Sequence, residues 1–267
     1  MRHCPSISLD TVRAVYDGVE GDLWEMLMGQ QIHIGGLVSS LDLAEQAGIA
    51  ADSRGVDLCC CNGAGMRFLL RCRHVAHMTG VDATATVLER ARSRNQAEGH
   101  GDVTTLVEAD VCATGLTGAA YDFVWGEDAW CYVDDKPGLI AEAVRLTCPG
   151  GTIACTDWLE GPNGLSDDEA TRFMQFMKFP SLASLDDYAD LLRAQGCRIV
   201  SAADTGRFAP HVDLYLNMVG MQLTSDVQRL VGYDMEVFSA MAGAMQDMQA
   251  LAHAGKLIQG LVVATVP

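Results

Sequence analysis

Short apolar runs alternate with helical periodicity through the middle of the chain. Val56–Cys60 is the first run; it leads into Asn62-Gly63-Ala64-Gly65 and a helical stretch, Met66–Arg73. Val75–Val81 is the second, closed by Asp82 and followed by a helix near Thr84–Gln96. Thr104–Glu108 and Tyr121–Trp125 give the third and fourth strands. Pro137–Leu146 reads as a helix, and Pro149-Gly150-Gly151 turns it into a fifth strand, Thr152–Thr156. Strands separated by helical segments predict right-handed crossovers and a mostly parallel sheet.

Two regions flank this core. Residues 8–50 read as two or three short helices, and 165–196 as helical before the strand Arg198–Ala203. A long helical stretch, 208–254, follows; Phe238, Met241, Met245 and Met248 fall on one face of it and read as packing. Lys256–Val266 is a last apolar strand. The division is a cap over 1–50, a core over 51–207 and 255–267, and a helical lid over 208–254, in one compact domain. Loops that long inside a domain are often binding elements.

Composition narrows the partners. The 267 residues carry 18 Lys+Arg against 35 Asp+Glu, a net charge of −17, with only Lys136, Lys178 and Lys256 as lysines. Phosphate-rich nucleic acid and anionic membrane surfaces both need basic excess. No run reaches membrane-span length, and the N-terminal segment has no apolar signal region. Several of the ten cysteines, such as Cys131 and Cys155, lie in apolar surroundings and read as reduced. The expected compartment is the cytoplasm, and the Met-rich helices suit a possible homo-oligomer.

A strand, a glycine turn and a helix N-terminus form a site for the polar part of a nucleotide-like ligand. The turn here runs Asp57-Leu58-Cys59-Cys60-Cys61-Asn62-Gly63-Ala64-Gly65. Asp82 stands where an acid accepts both ribose hydroxyls, and it is also placed to cap the helix after it. Asp110 ends the third strand and faces either an adenine amino group or only its own loop. NAD and S-adenosylmethionine both suit such a turn. Leu146–Gly151 leading to a fifth strand, and an insertion between the last two strands, favour the second.

With these motifs, and with Gly80-Val81-Asp82, Tyr121–Trp125 and Cys148-Pro149-Gly150-Gly151-Thr152, the chain resembles class I S-adenosylmethionine-dependent methyltransferases. It most resembles the sarcosine/dimethylglycine N-methyltransferase type, with tocopherol and sterol C-methyltransferases more distant. That narrower similarity lies in Gly29–Gly35, Trp125–Trp130, Asp135-Lys136, Thr156-Asp157, Ser184–Tyr188 with Gly196-Cys197, and Gly255–Leu257. It implies an α/β, Rossmann-like class I methyltransferase sheet, mostly parallel with an antiparallel C-terminal strand. An N-terminal helical cap and a helical insertion before the last strand complete it. It also implies S-adenosyl-L-methionine as cofactor, held by Asp57, Cys59, Gly63, Asp82, Asp110, Val111 and Glu127. The implied acceptor is a small molecule, in the first place an amine nitrogen of an amino acid or related compound.

One departure stands out: Cys59 and Cys61 occupy positions where the family's turn commonly has glycine. Cysteine resists positive φ, so either the backbone is relaxed or the cofactor sits differently. Three consecutive cysteines also raise a soft-metal site, but neighbours on a strand face opposite ways.

Methyl transfer needs alignment, desolvation and somewhere for a proton to go. Glu127 and Asp128, after the fourth strand, are the expected flanks of the methyl-accepting centre, with His33 as a third catalytic candidate. Trp130 and Asp157, also at carboxyl ends of strands, are expected to face substrate. Tyr16, Trp24 and His33 come from the cap that covers the cofactor's methionine half in the family. Arg207 is the expected clamp for a substrate carboxylate, with His211 and Tyr215 one helical face further on. The alternatives are C-, S- or O-methylation, a protein that holds the cofactor or a soft metal without turnover and, last, an NAD dehydrogenase.

Overall fold

The apolar run Gly55–Leu58 is buried on both faces, as the centre of a parallel sheet requires. The computed structural model describes all 267 residues. In chain order the elements are β1 (Arg2–His3), α1 (Leu9–Tyr16), α2 (Val19–Met28), α3 (Gly36–Gln46), β2 (Arg54–Leu58), α4 (Ala64–Cys72), β3 (His77–Asp82), α5 (Ala85–Ala97) and β4 (Thr104–Glu108). There follow β5 (Tyr121–Glu127), α6 (Lys136–Leu146), β6 (Thr147–Glu160), α7 (Asp167–Met177), β7 (Ser181–Leu182), α8 (Leu185–Ala194) and β8 (Arg198–Asp204). Helices α9 (Phe208–Met221), α10 (Thr224–Leu230) and α11 (Met235–His253) precede β9 (Leu257–Thr265).

The main sheet has seven strands in the order β4-β3-β2-β5-β6-β9-β8. The five strands from β4 to β6 are parallel, and β9 runs antiparallel to both its neighbours. This is the expected Rossmann-like sheet with a terminal antiparallel pair. Helix starts follow local chemistry. Ser8, Ser166 and Ser184 each form a reciprocal capping box, and Asp135 caps α6 ahead of Pro137.

Three boundaries differ from the sequence reading. The fifth strand begins at Thr147, so Pro149-Gly150-Gly151 is an irregularity inside β6, between the pairs Tyr121–Thr147 and Phe123–Thr152. Residues 165–196 hold two helices separated by β7, which pairs with β1 at the chain's N-terminal end. The 208–254 stretch is three helices, because Gly232 and Tyr233 turn left-handed and Asp234 starts a new cap. Cap and insertion share one core: Leu23, Trp24 and Leu27 pack with Val212, Tyr215, Val227 and Met245.

The turn after β2 keeps the left-handed backbone that its cysteines resist. Cys59 has φ 66°, Cys61 φ 46° and Gly63 φ 75°. Hydrogen bonds hold it there: the Cys59 and Cys60 amides donate to Val81 O at 2.9 and 3.0 Å, and the Cys61 amide donates to Asp82 Oδ2 at 2.9 Å. Of the two alternatives that the sequence left open, a relaxed backbone is not the one seen.

Two residues expected to face substrate belong instead to the core. Trp130 is fully buried; its Nε1 donates to Leu58 O at 3.1 Å and its ring packs on Tyr188. Asp157 is buried too, accepting from Tyr188 Oη at 2.7 Å and the Cys131 amide at 3.0 Å. Trp130 stands in the 3-10 turn Trp130–Tyr132, which folds over β6, and Asp157 lies within β6, which runs on to Glu160 rather than ending before it.

Two outcomes follow. Cys61→Gly removes a left-handed non-glycine residue and should stabilise the fold by about 1 kcal/mol. The readout is a higher guanidinium midpoint at unchanged slope; a lower midpoint would mean that thiol packing outweighs the strain. Burial pushes the Asp157 carboxyl up to about 6, against the pull of Lys136. The folded state then binds this proton more tightly than the unfolded chain. Its contribution is full below the ordinary 3.8 and lost as pH rises through about 6. Asp157→Asn should flatten the pH dependence of Tm in that window; an unchanged profile would locate the titration elsewhere.

Candidate active site

The cleft opens at the carboxyl ends of β2, β3 and β5, where open parallel sheets bind ligands. Its wider half is a cavity of about 330 Å³, lined among others by Tyr16, Cys59, Asp82, Asp110, Val111 and Tyr132. A narrower half is lined by His33, Asp57, Gly65 and Glu127, and shares Tyr16, Cys59 and Cys61 with the first. The seven residues expected to hold a cofactor therefore sit around one cleft, Gly63 in the turn itself supplying the N-cap of α4.

Asp82 does two things at once. Its Oδ2 accepts the Cys61 amide and its Oδ1 the Thr84 amide, both at 2.9 Å. A carboxylate offers about four acceptor positions, so lone pairs remain toward the cavity it lines. Asp110 Oδ1 likewise accepts the Cys112 amide at 2.8 Å and stays exposed beside buried Val111.

Asp57 differs from both. It is buried and its carboxylate forms no hydrogen bond within the protein. Burial, then the neighbouring Glu127 and Asp82, push its carboxyl well above the usual range. A Cβ placed on Gly65 would stand 3.1 Å from both Asp57 Oδ2 and Glu127 Oε2. Two carboxylates thus converge beside a position that has no side chain. A cationic ammonium group is the partner that such a pocket lacks. Acid oxygens for ribose, a buried acid pair for an ammonium and an apolar slot at Val111 together fit S-adenosylmethionine.

Glu127 anchors a hydrogen-bonded chain. Its Oε2 accepts Trp125 Nε1 at 3.0 Å and its Oε1 accepts the Ser40 hydroxyl at 2.7 Å. His33 Nε2 lies 3.2 Å from Ser40 Oγ and 3.4 Å from Glu127 Oε1. The Ser40 proton is committed to Glu127, so Nε2 is the protonated nitrogen and donates to Ser40 Oγ. His33 Nδ1 lies 3.4 Å from Ile34 O, at the long edge of hydrogen-bond distance.

Asp128 lies next in the chain but is fully engaged. It has φ 50° and accepts the Ile34 amide at 2.7 Å, Trp158 Nε1 at 3.1 Å and Gln259 Nε2 at 2.9 Å. It joins cap, β6 and β9, and it also borders the narrower half of the cleft. Gln259 also donates to Ile34 O at 2.9 Å. Neither Gln259 nor Ser40 stood out in the sequence. Arg67, also missed, ties the turn to the cap through Asn62 O at 2.7 Å and Gln30 Oε1 at 3.1 Å.

The residues expected from the insertion lie away from the cleft. Arg207 Nη2 pairs with Asp42 at 2.8 Å, and His211 Nδ1 bonds Arg207 O at 2.8 Å. Tyr215 is buried beside the Gly35 backbone, which with burial fixes it as packing. The clamp fails because Arg207, the N-cap of α9, lies against Gly35 and is already paired with Asp42 of α3. Trp24 lines a separate apolar chamber and meets Trp158 edge-on at 6.3 Å. All ten cysteines are free, burial and Asp82 push the Cys61 thiol up to about 12, and no three His, Cys, Asp or Glu side chains converge as metal ligands.

Residues 56–155 match the family model described as a methyltransferase domain. The chain is 27% identical over 202 residues to 27-O-demethylrifamycin SV methyltransferase of Amycolatopsis mediterranei, covering 70% of this chain and 74% of that one. It is 22% identical over 272 residues to glycine/sarcosine/dimethylglycine N-methyltransferase of Actinopolyspora halophila, covering 96% of this chain but 47% of that protein. Phosphoethanolamine N-methyltransferase 2 of Haemonchus contortus superposes with TM-score 0.83 at 18% identity, over 96% of this chain and 58% of that one. No helix is long and apolar enough to cross a membrane. Sheet order, cleft and matched domain agree: the chain carries a methyltransferase domain, over residues 56–155, on the class I fold that uses S-adenosylmethionine.

Proposed function

We propose that this methyltransferase acts on a protic nucleophile of a small molecule, a hydroxyl or an amine, whose proton passes to His33 Nδ1. The observation that carries this is the chain from His33 Nε2 through Ser40 to Glu127, beside the unpartnered Asp57. S-adenosylmethionine, when bound, supplies a sulfonium-activated methyl group. Asp57 meets its ammonium, Asp82 its ribose hydroxyls, and Asp110 and Val111 its adenine. Tyr16 and Tyr132, stacked edge-on at 5.5 Å, present aromatic surface to a cationic centre. Glu127 stabilises the imidazolium through Ser40 and by direct charge at 3.4 Å.

The amine of an amino acid remains the second reading. The alignment with the glycine/sarcosine/dimethylglycine enzyme over 96% of this chain favours it. Against it stands the engagement of Arg207 by Asp42, which leaves a substrate carboxylate without its expected fork. A radiolabelled methyl screen over glycine, sarcosine, dimethylglycine, alcohols and phenols separates the two.

In titration calorimetry, S-adenosylmethionine and S-adenosylhomocysteine should bind and NAD should not; the reverse would refute the reading. Asp82→Ala should weaken cofactor binding by roughly 1.5–3 kcal/mol, the range for a hydrogen bond to a charged group. Unchanged affinity would leave Asp82 as a turn cap only. Glu127→Gln and His33→Ala should each lower turnover by about 10²-fold or more with a much smaller effect on cofactor affinity. Equal loss of both quantities would make them structural.

A further inference from the structure

The insertion and the cap enclose a second cavity that the proposed chemistry does not use. It measures about 500 Å³, and fifteen of its seventeen lining residues are hydrophobic. Leu23 and Trp24 come from α2, Leu216 from α9, Leu230 from α10, and Phe238 and Met241 from α11. Protein interiors keep few voids larger than a water molecule, whereas small-molecule sites run to this size. Val19 and Val237 at its rim stay 49% and 43% exposed, apolar surface that an occupant would remove from water. Its methionines, Met241 and Met245, form a wall that adapts to the shape of what it meets.

Chamber and cleft are neighbours. Tyr16 lines the cleft, and Val19 and Glu20, just across the α1–α2 turn, line the chamber. Tyr132, which borders the cleft, meets Phe179 edge-on at 4.9 Å, and Phe179 meets Trp158 at 5.8 Å. On the other side Trp24 meets Trp158, whose Nε1 holds Asp128 beside Glu127. Only Glu20 and Lys178 give the chamber polar side chains. A zwitterion the size of an amino acid would lose its hydration there without replacement.

We propose that the chamber receives the hydrocarbon body of the acceptor, so that the substrate is a largely apolar molecule with one protic end. That end passes Tyr16 and Tyr132 to reach His33. This rests on methyl transfer occurring in the cleft, and it names the acceptor class which the cleft alone leaves open.

Trp24 reports on the chamber directly, because Trp125, Trp130 and Trp158 do not line it. The probe is 10-bromodecan-1-ol, whose bromine quenches tryptophan at contact. Titration of the full-length protein should give saturable partial quenching, and Trp24→Phe should abolish that saturable part. Ala242→Phe, which fills the chamber, should weaken the probe by about tenfold or more while S-adenosylhomocysteine still binds as in the unaltered protein. Linear, unsaturable quenching overturns the proposal, as does quenching that survives Ala242→Phe. Quenching confined to dilutions that separate a dimer assigns the chamber to a second copy and overturns it too. Loss of S-adenosylhomocysteine binding in the unaltered protein would instead remove the methyltransfer reading, independently of the quenching result.

Discussion

The carboxylate of Asp128 is the point on which the site depends. It lies at the end of β5, holds a left-handed backbone, and gathers donors from the cap, from β6 and from β9. A buried carboxylate is tolerated only when its lone pairs are filled, and removing such an acceptor leaves each buried donor short by about 1–3 kcal/mol. The same contacts fix Ile34, and through it the neighbouring His33. Glu127, one residue earlier, lines the same narrow half of the cleft but takes different donors, Trp125 and Ser40. Two adjacent acids differ in their bonds: one locks the cap to the sheet, the other ties the cleft wall to Ser40 of α3.

Much of the core was legible in the sequence because its signals are local. Apolar runs between helical stretches give a parallel sheet, and acids at strand ends follow from strand length alone; Asp57 and Asp82 appear where those runs place them. Ser40 and Gln259 carried no such signal. Their partners lie 87 and 131 residues away, and a polar residue in an apolar run is unremarkable until its partner is known. Arg207 was misread for the same reason: its carboxylate, Asp42, lies 165 residues away. Trp130 and Asp157 failed differently. Strand-end position does not fix where a side chain points: Trp130 lies in the 3-10 turn after β5 and Asp157 within β6, and contacts with Tyr188 turn both into the core.

The cysteine turn shows how the fold tolerates a locally unfavourable sequence. Strand β3 supplies fixed acceptors at Val81 and Asp82, and the turn's amides meet them only in the left-handed conformation. The ladder, not the residue type, decides the backbone. The result keeps the shape of a glycine turn while lining the cavity with thiols where a glycine turn would present bare backbone.

The sheet order has a consequence for how the molecule is assembled. Strand β9 lies between β6 and β8 yet follows both in the chain. During synthesis β8 emerges with no strand to pair with, and β6 keeps an open edge across the whole helical insertion. Such edges recruit other chains, and pairings this distant form slowly. Because Gln259 rides on β9, closing the sheet and seating the cap belong to one late event. Until then a nascent chain has a Rossmann-like half-sheet but no locked roof over its cleft, so cofactor capture and completion of the fold should coincide.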